Sequence, residues 1–240
     1  PRSVSAALGL PELPKERVLY LPEHINHELT GTQRNEAILQ HLIASTPRTT
    51  IVMAQPYTTD AFREHSLVDT HLSAWLNDKS NMRRYLPAHI LPKQYGVYES
   101  GEELKNQQGN IELPAVIKLT NSGGGDGVYI CKTKAHLQRA ILAVQQIKGK
   151  VYAEQFIDCF VNYGIQFGIP HDANAPAQIL GVSEQIVSSK GEFLGGKISR
   201  SQSRANRHVA HIIETLLSDT LPFIKSLGWY GVGCFDVLVT

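Results

Sequence analysis

Apolar residues near the start of the chain form two short runs on either side of one helical stretch. Residues 17–22, RVLYLP, and residues 49–56, TTIVMAQP, have the length and apolar content of buried strands. Between them, apolar side chains recur three and four positions apart over Asn35–Ala44, which predicts an amphipathic helix. Strand, helix and strand at this spacing indicate an α/β unit with a parallel pair of strands.

The middle of the chain predicts a smaller α+β unit built around a tight hairpin. Residues 66–85 have helical spacing with a break near Asn77 and Asp78, and the proline-punctuated segment 86–98 is expected to be extended. The polar segment 99–110 predicts a surface helix or a loop. Four further elements are expected after it: strand 114–120, strand 128–132, helix 133–147 and strand 151–158.

The last third of the chain predicts a larger sheet with one long helix. Strands are expected at 164–170 and 177–188 with a turn between them, and a turn and short strand at 190–197. Residues 208–227 have the spacing of a helix, in which Pro222 predicts a kink. The apolar run 229–240 predicts a final strand.

Composition excludes several function classes without indicating one. The chain has 240 residues, a net charge of +1 and 42% hydrophobic residues, which is ordinary for a globular protein and argues against bulk electrostatic binding of nucleic acid. No apolar run has the length of a membrane span, and the three cysteines lack zinc-site spacing. We therefore expect a cytoplasmic protein with no nucleic-acid or membrane partner.

The glycine turn, residues 122–127 with the sequence SGGGDG, carries the clearest chemistry. Strands are predicted on both sides of it, and the preceding strand carries Lys118. Glycines permit close backbone approach, successive N–H groups can cradle phosphate oxygens, and a lysine adds a positive charge. The GxxxxGK[ST] loop of P-loop proteins is absent, and a dinucleotide fingerprint would need a helix after the glycines. A plain hairpin tip is the alternative.

Four segments in fixed order resemble the ATP-grasp superfamily of carboxylate–amine (or carboxylate–thiol) ligases. They are NDK at 77–79, PAVIK with the glycine turn at 114–127, AEQFID at 153–158 and GWYGVGCFDVLV at 228–239. The resemblance implies two α+β lobes gripping ATP, preceded by a small Rossmann-like α/β domain. The implied domains are 1–70 for the N-terminal α/β domain, 71–113 for a linking segment, 114–157 for the small lobe and 158–240 for the large lobe.

The resemblance assigns nucleotide and metal roles to individual positions. Lys79 and Lys118 would contact ATP phosphates, and the glycine turn would close over the triphosphate. Asp236 would bind Mg²⁺, a role also favoured because a lone carboxylate in an apolar strand is costly unless it is paired or on metal. The residues assigned to ATP binding are Lys79, Lys118, Ser122, Gly123, Gly124, Gly125, Gly127, Glu154, Gln155, Phe156, Ile157, Asp158 and Asn162.

The substrate-facing residues are less sharply defined by the resemblance. The segment 183–198 resembles the region where peptide-forming members place substrate groups, so Glu184 and Gln185 are candidates. Arg200 and Arg204 are catalytic candidates, because a guanidinium can hold a carboxylate or a transferring phosphoryl group by two parallel hydrogen bonds. The alternative is that these arginines belong to a solvated basic loop.

A second acidic metal ligand is implied about a dozen residues after Asp236, although Mg²⁺ needs only one or two carboxylates besides phosphates and waters. Because the sequence stops at Thr240, we expect a fragment of a longer protein, or else a reduced member of the family.

The implied activity is ATP-dependent ligation of a carboxylate to an amine, with amino-acid or peptide substrates, ATP and Mg²⁺ as cofactors, and an acyl-phosphate intermediate. The partners would be small-molecule acids and amines, with a homodimer as the common assembly. Two alternatives stay open: a carboxylase or acyl-CoA-type ligase on the same fold, and a non-catalytic nucleotide-binding module.

Overall fold

The computed structural model describes residues 31–45, 70–122, 125, 127–147, 149–188, 191–198 and 203–240. Side chains are described from residue 37 in the first range and from residue 207 in the last. The chain divides into two compact units, Pro1–Met53 with Thr59–Ser66, and Ala54–Thr58 with Leu67–Thr240. In the first unit, helix α1 spans Gly31–Ser45 and confirms the predicted helix. The strands predicted at 17–22 and 49–56 lie outside the described residues.

Within the described residues, the second unit contains two four-stranded sheets, and every strand pairing in them is antiparallel. The order of the strands is β1-β4-β2-β3 in the first sheet and β7-β6-β5-β8 in the second. Their bounds are β1 Gln94–Tyr98, β2 Ala115–Leu119, β3 Val128–Cys131, β4 Val151–Gln155, β5 Val161–Ile169, β6 Gln178–Val187, β7 Phe193–Lys197 and β8 Gly231–Val239.

Helices and short helical turns connect these strands. The α-helices that the described part of the second unit contains are α2 Thr70–Asn77, α3 Gly101–Asn106, α4 Lys134–Gln145, α5 Ser203–Thr215 and α6 Leu221–Ser226. Three 3₁₀ turns span Lys79–Arg84, Ala88–Ile90 and Gln108–Asn110, and a π-helical stretch spans Leu216–Thr220.

The first sheet buries one face against α3 and α4. Leu137, Ala140, Ile141 and Val144 follow helical spacing along α4 and join the first core together with alternate residues of the strands. Thr133 caps α4 by accepting a hydrogen bond from the His136 backbone N–H. The edge strand β1 and helix α3 come from the predicted linking segment 71–113. They join this core because the side chains of Tyr98 and Leu104 are buried in it.

The second sheet buries one face against α5, the π-helical stretch and α6. Its core includes Tyr163, Ile165 and Phe167 from β5, and Leu216 and Ile224 from the helices. The long helix predicted at 208–227 begins earlier, at Ser203. Its irregular stretch, Leu216–Thr220, includes Ser218, whose carbonyl the ring of Pro222 would meet in a regular α-helix, so the irregularity lies where the prediction for Pro222 places it. Pro222 stands in the first turn of α6, where a missing N–H costs little.

Helix α2 and the 3₁₀ turn that follows it connect the two sheets. Leu72 and Leu76 pack against the second core, and Trp229 donates a hydrogen bond to the buried Ser73 hydroxyl at 2.8 Å. The Lys79 backbone N–H donates to the Thr120 carbonyl at the end of β2 at 3.0 Å. The break predicted near Asn77 and Asp78 is thus the point where the chain passes from one sheet to the other.

Candidate nucleotide-binding site

Lys118 and Glu154 form an ion pair on the face of the first sheet opposite its core. In the register of β2 and β4, Lys118 lies opposite Tyr152 and Val116 lies opposite Glu154, so Lys118 and Glu154 are diagonal neighbours. The Nζ atom of Lys118 donates to Oε1 of Glu154. The side chains are 24% and 5% exposed. A carboxylate this deeply buried requires a charged partner, and Lys118 supplies it.

Lys79 enters the same place from the 3₁₀ turn. Asp78 caps that turn, accepting the Ser80 backbone N–H at 2.9 Å, and so fixes the start of the Lys79 side chain. The Nζ of Lys79 donates to the carbonyl of Ser122 and, at 3.4 Å, to the carbonyl of Thr120. Among the described residues, Lys79 forms no salt bridge with a carboxylate.

The electrostatics of Lys79 link both sheets. Burial lowers the pKa of Lys79 and the positive charge of Lys118 lowers it further, while Asp78, Asp236 and Glu154 act in the opposite direction. The site therefore has two cations whose charges disfavour each other, and an anion bound between them would relieve that repulsion.

The glycine turn closes the far end of β2 and β3. The Ser122 hydroxyl donates to the Leu119 carbonyl at 3.0 Å, and Gly125 and Gly127 have φ angles of 90° and 66°, which strain any other residue. A Cβ atom on Gly125 would lie 2.4 Å from the carbonyl oxygen of Gly191, in the turn between β6 and β7. The turn thus touches the second sheet through backbone atoms. Gly123 and Gly124 lie outside the described residues.

Residues 154–157, which the resemblance assigns to ATP binding, lie at the end of β4 and directly after it. The backbone N–H groups of Gln155 and Phe156 donate to the carbonyls of Lys93 and Pro114 at 2.8 and 3.1 Å. A backbone contact of these two residues with adenine is thereby limited to their carbonyl oxygens, and the ATP-binding role of Ile157 stays a prediction. Asp158 is exposed, and the side chain of Asn162 accepts a hydrogen bond from Cys159 at 2.9 Å.

Asp236 lies on the face of the second sheet that is opposite the core. In the register, Gly164 lies opposite both Ser183 and Asp236, and Asn162 lies opposite Gln185. We call this side the Asp236 face. Oδ1 of Asp236 accepts a hydrogen bond from Nε2 of Gln185 at 2.6 Å. Asp236 is exposed, so the argument from the cost of burying a lone carboxylate is wrong, although its metal role stays a prediction.

The same register separates the two substrate candidates. Glu184 lies opposite Tyr163, a core residue, and therefore points to the other side of the sheet from Gln185. The structure brings Gln185 to Asp236 and does not bring Glu184 there. Arg200 lies outside the described residues, and Arg204 belongs to α5 without a described side chain. Their roles stay predictions.

Several polar residues of the site were absent from the sequence-based predictions. On the Asp236 face, Gln166 donates to the Ser183 hydroxyl at 3.0 Å, and a Cβ on Gly164 would lie within 3.2 Å of Gln166, Cys234 and Ser183. Strand alternation could have placed Cys234 on the same face as Asp236, because the two residues are two positions apart on one strand. The sequence offered no chemical reason to assign a function to a cysteine or a glutamine among apolar residues.

Beside Glu154, Arg83 and Tyr152 were also missed. The two side chains are close enough to interact: burial and Glu154 raise the pKa of Tyr152, to about 12, while Arg83 acts against that rise. Tyr152 is 1% exposed. A tyrosine in a strand is ordinarily a core residue, so the sequence offered no reason to single it out.

The described residues limit what kind of metal site is present. They contain no group of three or more His, Cys, Asp or Glu side chains arranged to hold a metal ion. A single carboxylate such as Asp236 fits Mg²⁺ that takes its other ligands from phosphates and waters. No helix within the described ranges is long and apolar enough to cross a membrane.

A family comparison matches the part of the chain that holds both sheets. The sequence model of the family described as "L-aspartate--L-methionine ligase, ATP grasp" matches residues 94–240. The chain belongs to this ATP-grasp ligase family. This match confirms the superfamily and the fold class that were inferred from the four segments. Biotin carboxylase 1 of Bacillus subtilis is 32% identical over 83 residues, covering 32% of this chain and 18% of that protein.

Solved structures of low sequence identity share the fold. N5-carboxyaminoimidazole ribonucleotide synthetase of Thermus thermophilus has a TM-score of 0.58 and 13% identity, covering 92% of this chain and 59% of its own. The biotin carboxylase domain of Hydrogenobacter thermophilus 2-oxoglutarate carboxylase, in complex with MgADP, ADP and bicarbonate, has a TM-score of 0.56 and 17% identity. The match covers 84% of this chain and 47% of that structure's chain. D-alanyl-alanine synthetase A of Vibrio cholerae has a TM-score of 0.52 and 13% identity, and the match covers 78% of this chain and 62% of that structure's chain. This chain thus spans about half of each of these structures and less than a fifth of the curated relative.

Proposed function

We propose that the protein is an ATP-dependent carboxylate–amine ligase that acts on amino acids or small peptides. The observation that carries the proposal is the pair of lysines. Lys118 is held by a buried carboxylate and Lys79 by two carbonyl groups, and the two ammonium groups are close enough for the charge of Lys118 to lower the pKa of Lys79. Two cations beside a glycine turn provide what a triphosphate requires.

The groups present are compatible with a magnesium nucleotide. Lys79, Lys118 and the backbone of the glycine turn would hold the phosphates, the strand end after Glu154 would hold the adenine, and Asp236 would be a ligand of Mg²⁺. The metal, when bound, would neutralise charge on the phosphates. The Gln185 amide donates to Asp236, and the neutral side chains of Gln166 and Ser183 hydrogen-bond to each other on the same face, so these polar groups support a polar substrate there.

The reaction follows from the weakness of a carboxylate as an electrophile. A carboxylate oxygen of the acid attacks the γ-phosphorus of ATP, ADP leaves, and an acyl phosphate forms. The amine then attacks the acyl carbon, and inorganic phosphate leaves. Catalysis of this kind depends on positioning and charge neutralisation, which the lysines and the backbone N–H groups would supply, so no side-chain nucleophile is invoked.

The test is a coupled assay of ADP formation with Mg·ATP and pairs of amino acids, beginning with L-aspartate and L-methionine, the pair in the description of the matching family. Hydroxylamine added in place of the amine should trap the acyl phosphate as a hydroxamate of the accepted acid. ADP formation that depends on both amino acids would support the proposal. ADP formation that requires bicarbonate would instead identify a carboxylase, and nucleotide binding without turnover for any substrate would identify a binding module.

A further inference from the structure

Two buried polar atoms beside the Lys118–Glu154 pair have no hydrogen-bond partner among the described residues. They are the Tyr152 hydroxyl and Nε of Arg83. Burying an unpaired donor is costly, and such atoms in a folded protein call for an explanation. Both atoms lie beside the proposed nucleotide site, so nucleotide binding can account for why these donors are unpaired in this structure.

The two orphan groups and Glu154 are close enough to affect one another. Tyr152 and Glu154 are separated by two positions on β4 and so share one face of the sheet, the face on which Lys118 lies. Arg83 reaches this face from the 3₁₀ turn, where its Nη2 atom donates to the Pro92 carbonyl and thereby fixes the guanidinium. Arg83 and Glu154 both lie near enough to the Tyr152 hydroxyl to act on its pKa as hydrogen-bonding groups. Neither of them completes a well-formed hydrogen bond to that hydroxyl in this structure.

Lys118 is the partner that the Glu154 carboxylate uses in this structure. Oε1 of Glu154 accepts from Lys118, and Glu154 is 4% exposed, so water cannot easily replace that partner. If Lys118 turned toward a phosphate group, Glu154 would be left as a buried, unpaired carboxylate, which is strongly unfavourable. A second donor within the protein is then required.

We infer that Tyr152, supported by Arg83, is the alternative partner of Glu154 when a nucleotide draws Lys118 away. In that arrangement the Arg83 Nε–H donates to the Tyr152 oxygen, and the Tyr152 O–H donates to the Glu154 carboxylate. All three groups are then paired, and the donors unused in the present structure are used. Tyr152 is a positioning residue: it acts on the nucleotide through Glu154 and Lys118. The inference rests on the proposed function, because it requires a nucleotide that binds Lys118.

The experiment compares Tyr152→Phe with the unaltered chain by thermal unfolding and by calorimetric titration with Mg·ADP. Without nucleotide, Tyr152→Phe should have a Tm at least as high as the unaltered chain, because the substitution removes an unpaired buried hydroxyl. With nucleotide, its Kd for Mg·ADP should be about tenfold weaker, since Glu154 loses its second partner. A structural role for the hydroxyl would lower the Tm instead.

A double substitution separates positioning from other effects. With Glu154→Gln in place, adding Tyr152→Phe should change the Kd little, because the carboxylate through which Tyr152 acts is gone. Tyr98→Phe is the matched control, a buried tyrosine of the same sheet that belongs to the opposite core. It should leave the Kd unchanged.

Three results would overturn the inference. They are an unchanged Kd in Tyr152→Phe, additive effects of Tyr152→Phe and Glu154→Gln, and a lowered Tm without nucleotide. If the unaltered chain itself did not bind Mg·ADP, the proposed nucleotide site would fail, and the inference would fail with it. Binding by the unaltered chain with no effect of Tyr152→Phe would refute the inference alone.

Discussion

The two sheets expose opposite kinds of chemistry on the faces that their cores leave uncovered. The first sheet carries the Lys118–Glu154 ion pair and Tyr152; the carboxylate and the tyrosine are buried, and the lysine side chain is 24% exposed. The second carries an exposed aspartate surrounded by neutral side chains, Gln185, Gln166, Ser183 and Cys234. One face is arranged around charges that must be satisfied within the protein, and the other around groups that water can satisfy.

This difference predicts where substitutions will act. On the first sheet, the removal of a charged group leaves its partner buried, so stability and ligand affinity change together. On the second sheet, an exposed group can be replaced with little cost to folding, so an effect on ligand binding can be measured by itself.

The largest effect is expected for Lys118→Ala. The substitution leaves Glu154 buried without a cation and should reduce the free energy of unfolding by about 3 kcal/mol. It should also weaken Mg·ADP binding by about a hundredfold, because a charged hydrogen bond to phosphate contributes about 1.5–3 kcal/mol. Urea unfolding and calorimetric titration measure the two losses.

The double variant Lys118→Ala with Glu154→Gln tests the cause. Removing the unpaired charge should restore part of the stability without restoring nucleotide affinity. Recovery of both would show that Lys118 has no direct role in binding.

The next largest effect is expected at the contact between the glycine turn and the second sheet. Gly125 and Gly228 both have a φ of 90°, but a Cβ on Gly125 would overlap the Gly191 carbonyl, whereas Gly228 has open space. Replacement by alanine should therefore cost about 1–2 kcal/mol of stability at either position through backbone strain. Only Gly125→Ala should also weaken nucleotide binding, by about tenfold, since it alone prevents the approach of the turn. Stopped-flow release of a fluorescent ADP analogue gives the comparison, and equal rates for the two variants would exclude a role of this contact in retaining the nucleotide.

A smaller effect, confined to the metal, is expected on the second sheet. Asp236→Asn should raise the Mg²⁺ concentration required for nucleotide binding by about tenfold while changing stability by less than about 0.5 kcal/mol. Glu184→Gln is the control, because its side chain is directed to the opposite face of the same sheet. An unchanged magnesium requirement in Asp236→Asn would remove Asp236 from the metal site.

The smallest effect is expected from raising the pH. Because burial and Lys118 lower the pKa of Lys79, this lysine loses its proton below the usual range, and a phosphate ligand would restore the proton. Nucleotide affinity should therefore fall as the pH is raised through the interval that ends at the ordinary lysine pKa of 10.5. The nearby carboxylates of Asp78, Asp236 and Glu154 oppose the lowering without abolishing it, and the pKa of Tyr152 lies above this interval.

Lys79→Arg isolates that titration. Arginine keeps its charge over the whole interval, so affinity in this variant should decline less with pH than in the unaltered chain. Titrations in buffers of different ionisation enthalpy would also detect the proton taken up on binding. Parallel declines in both proteins would assign the pH dependence to another group.

The same linkage affects stability. Since the unfolded chain binds a proton on Lys79 more tightly than the folded chain does, this residue contributes a destabilisation that is fully present at neutral pH. That contribution decreases as the pH rises from the lowered pKa of Lys79 toward the ordinary lysine pKa of 10.5.

The sequence was sufficient for the elements of the second unit because local patterns and tertiary packing agree there. The spacing of Leu137, Ala140, Ile141 and Val144 predicted α4, and the two apolar runs around the glycines predicted β2 and β3. The apolar pattern of the sequence did not show that the strand predicted at 151–158 ends early. It ends at Gln155, and the backbone N–H groups of Gln155 and Phe156 pair with residues distant in sequence.

Site residues also divide into those that a local sequence pattern indicates and those whose contacts depend on residues distant in sequence. Lys118 could be predicted because a cation precedes a glycine turn, whereas its pairing with Glu154 depends on the register of two strands 36 positions apart. Glu184 and Gln185 were indistinguishable as neighbours in sequence, but strand alternation directs them to opposite faces. Arg83 was missed because its position depends on a 3₁₀ turn that propensity does not specify.

The contact between Gly125 and Gly191 has a consequence for how this protein tolerates mutation. Each glycine has a positive φ, and the absent side chain of the first makes room for the carbonyl of the second, although 66 positions of sequence, from 125 to 191, separate them. In a library that varies both codons, the two positions should therefore be depleted of almost every other residue. A substitution at Gly125 should find no rescue at position 191, because the space it requires is occupied by backbone rather than by an exchangeable side chain. At Gly191 the positive φ is what disfavours other residues, since a Cβ there would meet only side chains at ordinary contact distances.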